Sequence, residues 1–195
     1  MRTSFVPALL AVACGALAGA AVAAPVTYNI DPMHTYPTFE ADHMGGMSFW
    51  RGKINSSSGK IMVDKAAGTG SVEVTMDMKT IDFGIDALNN HAQTADLFDT
   101  TKFPTATYTG KLVKFQNGAP TEVEGTLTLH GVSKPVTLKI NTFMCKEHPM
   151  QKKEFCGADA SASINRDDFG VDFGKQMGFK MAVTLRISVE ALVVT

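Results

Sequence analysis

The chain has 195 residues, 45% hydrophobic and 19% charged, with 18 basic and 19 acidic side chains and a net charge of −1. Such a composition buries enough apolar surface to offset the entropy of ordering, which excludes a disordered chain, and the length suits one domain. No basic block exists to track a polyanion, so no nucleic-acid partner is expected.

The N-terminus reads as a secretory signal peptide over residues 1–23: Arg2 supplies the positive region, residues 5–13 an apolar run, and Ala21-Val22-Ala23 a cleavage site. The alternative of a lipoprotein site at Ala11-Val12-Ala13-Cys14 fails because Ala11 stands where a larger aliphatic is expected. The mature domain is expected to be residues 24–195. No later apolar stretch approaches the length of a membrane span. Two cysteines then remain, Cys145 and Cys156, and an exported pair is expected to form a disulfide. Cys145 falls out of step with Val136, Leu138 and Ile140, so the pairing requires a bulge or loop there.

From residue 26 onward short apolar alternations separated by turn residues mark half-buried antiparallel strands, about eight in all. Residues 71–78, 122–129 and 181–190 show the period most clearly. The exception is residues 85–98, where Ile85, Leu88, Ala92 and Ala95 recur at helical spacing. Pro104 then returns the chain to extended structure. Asn117-Gly118 is a hairpin turn between two such strands. The fold class is therefore all-β, and the pattern alone leaves a sandwich and a barrel both open. Inward positions hold small residues, Ala158, Ala160 and Ala162 on one strand with Gly52, Gly110 and Gly125 on others. They imply either a close approach of sheets or unfilled volume for an apolar guest.

Five histidines, His34, His43, His91, His130 and His148, lie on separate segments without metal-ligand spacing, so no metal site is expected. His43 shares parity with Phe39 and Ala41 and points inward, as a backbone-bonded core histidine or a ligand contact. His130 reads as structural. The run His43-Met44-Gly45-Gly46-Met47 offers soft copper ligands, but methionines at strand parity fill cores more often than they bind metal. Arg166, followed by Asp167 and Asp168, could meet an anionic or quinone headgroup or pin a turn by an Arg-Asp pair. No nucleophile elbow, paired-carboxylate signature or phosphate loop is present, and no catalytic residue is expected.

Several pieces taken in order resemble one family. They are Tyr28-x-Ile30-Asp31-x-x-His34-Thr35, Trp50-x-Gly52, Ile81-Asp82-x-Gly84 and Asp96-Leu97-Phe98-Asp99-x-x-Lys102-Phe103-Pro104, then Gly125-Thr126-Leu127-Thr128-Leu129-His130-Gly131-Val132-Ser133-Lys134-Pro135-Val136 and Arg166-Asp167-Asp168-Phe169-Gly170. Together they resemble the YceI-like family of periplasmic polyisoprenoid-binding proteins. Asn89, Ala92 and Thr35 depart from its usual residues.

The resemblance implies an eight-stranded antiparallel, lipocalin-like β-barrel with a short helix covering one end. Its tunnel would take a long isoprenoid tail, as of a quinone or polyprenyl phosphate, or alternatively a fatty-acid-like chain. No cofactor beyond that lipid is implied, the membrane enters only as the lipid source, and a monomer or homodimer in the periplasm is expected. A periplasmic stress or metal-binding module and a small tunnel enzyme are the weaker readings. The expected lining comprises Phe39, Ala41, His43, Trp50 and Ile54 near the N-terminus, Val72 and Val74, and Leu97 and Phe98 beside the helix. It continues with Tyr108, Leu112, Leu127 and Leu129, and ends with Ala160, Ala162, Ile164, Arg166, Val183 and Leu185.

Overall fold

Alternating apolar residues form strands that bury one face, because successive side chains point to opposite sides of the pleat. The computed structural model describes residues 24–194. The expected signal peptide lies outside the described residues. The N-terminal strands are β1 (Val26–Ile30), β2 (Tyr36–His43), β3 (Ser48–Ile54), β4 (Ser57–Asp64), β5 (Thr69–Asp77) and the short β6 (Ile81–Asp82). One α-helix, α1 (Asp86–Ala92), precedes β7 (Thr105–Val113), β8 (Glu122–Leu129), β9 (Val132–Glu147), β10 (Glu154–Asn165) and β11 (Ala182–Val193).

Eight of these strands close a ring in the order β1, β4, β5, β7, β8, β9, β10, β11, with β11 returning to β1, and every pairing is antiparallel. The architecture is thus a closed eight-stranded barrel with one short helix. The other three strands continue the sheet from β11 as β2, β3 and β6. One edge of β11 serves two strands in turn: its residues 191–193 face 28–30 of β1, and 183–188 face 36–41 of β2. The corner between β1 and β2 is set by Asp31, whose carboxylate accepts the Met33 N–H at 2.8 Å and whose carbonyl accepts that of His34 at 3.2 Å. That corner, together with the outer β3 and β6, makes eleven strands where the periodicity suggests about eight.

The helix is shorter than its spacing predicts. It stops at Ala92 because the His91 carbonyl accepts both the N–H and the hydroxyl of Thr94, which turns the chain, and the Phe98 N–H returns to the Ala92 carbonyl at 3.0 Å. Leu97 and Phe98 therefore sit on turns after the helix. They still pack with Ala92 on Ile54, Met78, Ile81 and Ala106, a buried cluster at one side of this end of the barrel.

At the opposite end the irregularity required by the cysteines is present as a bulge. The β9–β10 register shifts between Asp159, opposite Thr142, and Ala160, opposite Ile140, so Asn141 is the extra residue. The shift turns Phe143 and Cys145 inward, and Cys145 comes directly opposite Cys156 in a disulfide with Cα atoms 4.0 Å apart.

The inward glycines are not open volume. A β-carbon on Gly52 would stand 2.5 Å from Cζ of Phe39, and one on Gly125 would stand 2.5 Å from Cζ of Tyr108. These glycines are seats for aromatic rings. Gly110 sits where the backbone of Gly125 approaches closely.

Candidate functional site

Side chains of the ring, of β2 and β3 and of the connecting loops leave a cavity of about 480 Å³, within the roughly 300–1,000 Å³ of small-molecule sites. From β2 and β3 come Phe39, Ala41, His43, Trp50 and Ile54; from β5, Val72 and Val74; from β7 and β8, Tyr108, Leu112, Leu127 and Leu129. Leu97 and Phe98 border it from the turns after α1, and Ala160, Ile164, Arg166, Val183 and Leu185 from the C-terminal part of the chain. Of the expected lining only Ala162 is off the wall. Its methyl packs against the buried core, while its ladder partner Leu185 reaches the cavity.

The wall holds further residues. Val123, Val136, Leu138 and Ile140 share the inward parity of their strands, so their signal was present in the alternation. Phe83, Phe173 and Phe179 lie outside regular alternation, on segments placed by tertiary packing alone. Phe143 comes inward only through the bulge at Asn141.

One end of the cavity is aromatic. The His43 ring lies 4.7 Å from that of Trp50 and 5.1 Å from that of Phe179, Trp50 meets Phe83 at 6.3 Å, and Phe83 meets Phe39 edge-on at 5.3 Å. His43 is half-buried with Ser48 Oγ 3.4 Å from Nδ1, so it is a wall residue stacked on aromatics rather than a backbone-bonded core histidine.

Arg166 borders the cavity, but its guanidinium spans the β10–β11 loop. It donates to the carbonyls of Val171 at 2.8 Å and Phe173 at 2.7 Å. Asp167 pairs with Lys175 at 2.7 Å instead, which replaces the expected Arg-Asp pair. Burial lowers the Arg166 pKa, opposed by the charges of Asp167, Asp172 and Asp42. Asp42 ties the same loop to the β2–β3 turn, since its Oδ2 accepts the Gly45 and Lys180 N–H groups, each at 2.9 Å.

The remaining histidines are engaged separately. His34 pairs with Asp31 at 2.8 Å, which lowers the aspartate pKa and raises that of the histidine through their hydrogen bond. His91 lies against Phe173 and near Asp96, His130 donates from Nδ1 to the Phe169 carbonyl at 3.2 Å, and His148 accepts two backbone N–H groups. Among the described residues the one group of three potential metal ligands is Cys145, Glu154 and Cys156, where the disulfide occupies both sulfurs. Asn89 fixes the β6–α1 turn, accepting the Phe83 N–H and donating to Asp82, while Thr35 is buried against the Glu190 backbone.

The sequence pattern of the YceI-like domain matches residues 28–191. Protein YceI of Shigella flexneri is 33% identical over 178 residues, covering 90% of each chain. Among solved structures, BcnA of Burkholderia cenocepacia is similar with a TM-score of 0.68 and 20% identity, over 83% of this chain and 99% of that one. A polyisoprenoid binding domain from Saccharophagus degradans has a TM-score of 0.61 and 17% identity, over 86% and 98% of the two chains. At those identities the two structures speak for the fold.

Proposed function

The chain belongs to the YceI-like family, and from that premise we propose that it is a binding protein that holds the apolar tail of an isoprenoid-type lipid inside its barrel. The observation that carries this reading is the cavity of about 480 Å³ with an almost wholly apolar wall, set between the closed eight-stranded ring and β2 and β3. Burying each methylene gains roughly 0.8 kcal/mol, so about ten of them give some 8 kcal/mol. That gain is of the size needed to offset an association cost of about 4–15 kcal/mol, and a longer tail gains more. Little polar chemistry is required, and selectivity follows from the length and shape of the cavity.

The polyisoprenoid binding domain of similar fold favours an isoprenoid over a fatty-acid-like chain. A quinone or polyprenyl phosphate would put its tail among the aliphatic residues and its headgroup at the aromatic end, beside His43. Arg166 would act through the loop whose carbonyls it holds. The leader-like sequence of residues 1–23 and the family membership support a periplasmic setting for this binding. The test is native mass spectrometry of protein purified from its own envelope, with the extracted lipid identified. A long isoprenoid lipid at one per chain is expected. Protein that arrives empty and takes up no isoprenoid alcohol would overturn the reading.

A further inference from the structure

The two ends of the barrel present different surfaces. At the β9–β10 hairpin the exposed Met150 is surrounded in sequence by Lys146, Glu147, Lys152, Lys153 and Glu154. At the aromatic end the β2–β3 turn and its flanks read Met44-Gly45-Gly46-Met47-Ser48-Phe49-Trp50, with no Lys, Arg, Asp or Glu between His43 and Arg51. Here Met44 is 52% exposed, Met47 77% and Phe49 57%.

Two more segments bring exposed apolar side chains to the same end. Met177 precedes Gly178, whose carbonyl oxygen lies 3.2 Å from where a β-carbon on Gly45 would stand, and Asp42 bonds to both segments. Ile85 follows β6, which runs antiparallel to β3 and so carries the chain toward the β2–β3 turn. Each exposed side chain lies within a few residues of one on the cavity wall: Met44 beside His43, Phe49 beside Trp50, Ile85 after Phe83, Met177 before Phe179. The exposed apolar residues are thus carried by the same segments that build the aromatic end of the wall.

Exposed apolar surface of this kind marks an interaction site. The flexible Met44 and Met47 and the aromatic Phe49 can enter the acyl boundary, while Lys180, whose Nζ lies 3.5 Å from where a β-carbon on Gly46 would stand, keeps its ammonium at the level of the lipid headgroups. The opposite hairpin would have to desolvate its charges to do the same.

We propose that this rim docks on the surface of a lipid bilayer, so that a guest passes between membrane and cavity without crossing water. The proposal rests on the carrier reading. Its test is flotation of the purified protein with phosphatidylcholine vesicles, wild type against Met47→Ser with Phe49→Ser, and Met150→Ser as the control. Trp50 is the sole tryptophan of the chain, and brominated acyl chains should quench it in the wild type.

The double substitution should lower the vesicle partition coefficient at least tenfold and abolish quenching, with Met150→Ser unchanged and the melting temperature retained. Wild type that neither floats nor is quenched, or a double variant that partitions as wild type does, overturns the dock. A vesicle-free dimer that the double variant converts to monomer also overturns it, assigning the rim to a second copy. Uptake of farnesol from solution, read by native mass spectrometry, separates the two readings. Uptake without flotation retires the dock alone, and flotation without uptake retires the guest alone.

Discussion

The phenol of Tyr108 lies over Gly125 across the β7–β8 ladder, with Cζ and Oη both 2.5 Å from where a β-carbon on Gly125 would stand. From that seat the hydroxyl donates to the Val136 carbonyl on β9 at 2.8 Å. A Gly125→Ala methyl would strike the ring and also stand 2.6 Å from the Thr109 carbonyl oxygen. The variant should lose about 1–3 kcal/mol by overpacking, read as a lower urea midpoint with an unchanged m-value.

Burial of Tyr108 pushes its pKa from 10.0 up to about 12, and Tyr28 is also raised, by burial and by its hydrogen bond to Glu154. A raised phenol pKa means the folded state keeps the proton longer than the unfolded state. Stability is therefore full below about pH 10 and falls as pH rises toward 12, by on the order of 2–3 kcal/mol for Tyr108 alone. Urea melts across that window should show the fall. Tyr108→Phe should lose roughly 0.5–1.5 kcal/mol at neutral pH and show a shallower alkaline fall.

The Cys145–Cys156 bridge joins strands already paired. Replacing both cysteines by alanine should lower stability by about 3 kcal/mol or less, in keeping with the short loop closed. The barrel should still form. Equal chemical-denaturation midpoints for the two proteins in oxidising buffer would contradict this.

Ala160 and Ala162 are alike in sequence but differ in place: Ala160 is buried and borders the cavity, whereas Ala162 is half-buried against the core and off the cavity wall. Ala160→Phe should occupy cavity volume, reducing farnesol uptake while the barrel stays folded. Ala162→Phe should instead overpack, costing about 1–3 kcal/mol without narrowing the cavity itself. Uptake and melting temperature measured on both variants separate the two effects.

Strand parity made most of the wall legible, since Val72 and Val74 or Leu127 and Leu129 follow directly from period two. What parity could not provide was geometry set by other segments. Gly52 and Gly125 share the inward parity of the wall, yet a neighbouring ring consumes the space they leave. Phe173 and Phe179 reach the cavity from a loop held by Arg166 and Asp42, a placement that depends on hydrogen bonds to distant backbone. The cysteine mismatch was the most informative irregularity, because a broken alternation beside an expected pairing called for a bulge or loop, and the β9–β10 register shift at Asn141 is a bulge.

The shared edge of β11 also orders events in time. β1 and β2, paired locally with β4 and β3, each find their other ladder partner on the last strand of the described chain, more than 140 residues away in sequence. A chain emerging N-terminus first has nothing on which to close the ring until that strand is available. Contacts this distant make folding slow and leave strand edges unpaired while they wait. A chaperone that shields nascent strands would therefore matter most before β11 appears, and deleting β11 should yield a chain that aggregates rather than a smaller barrel.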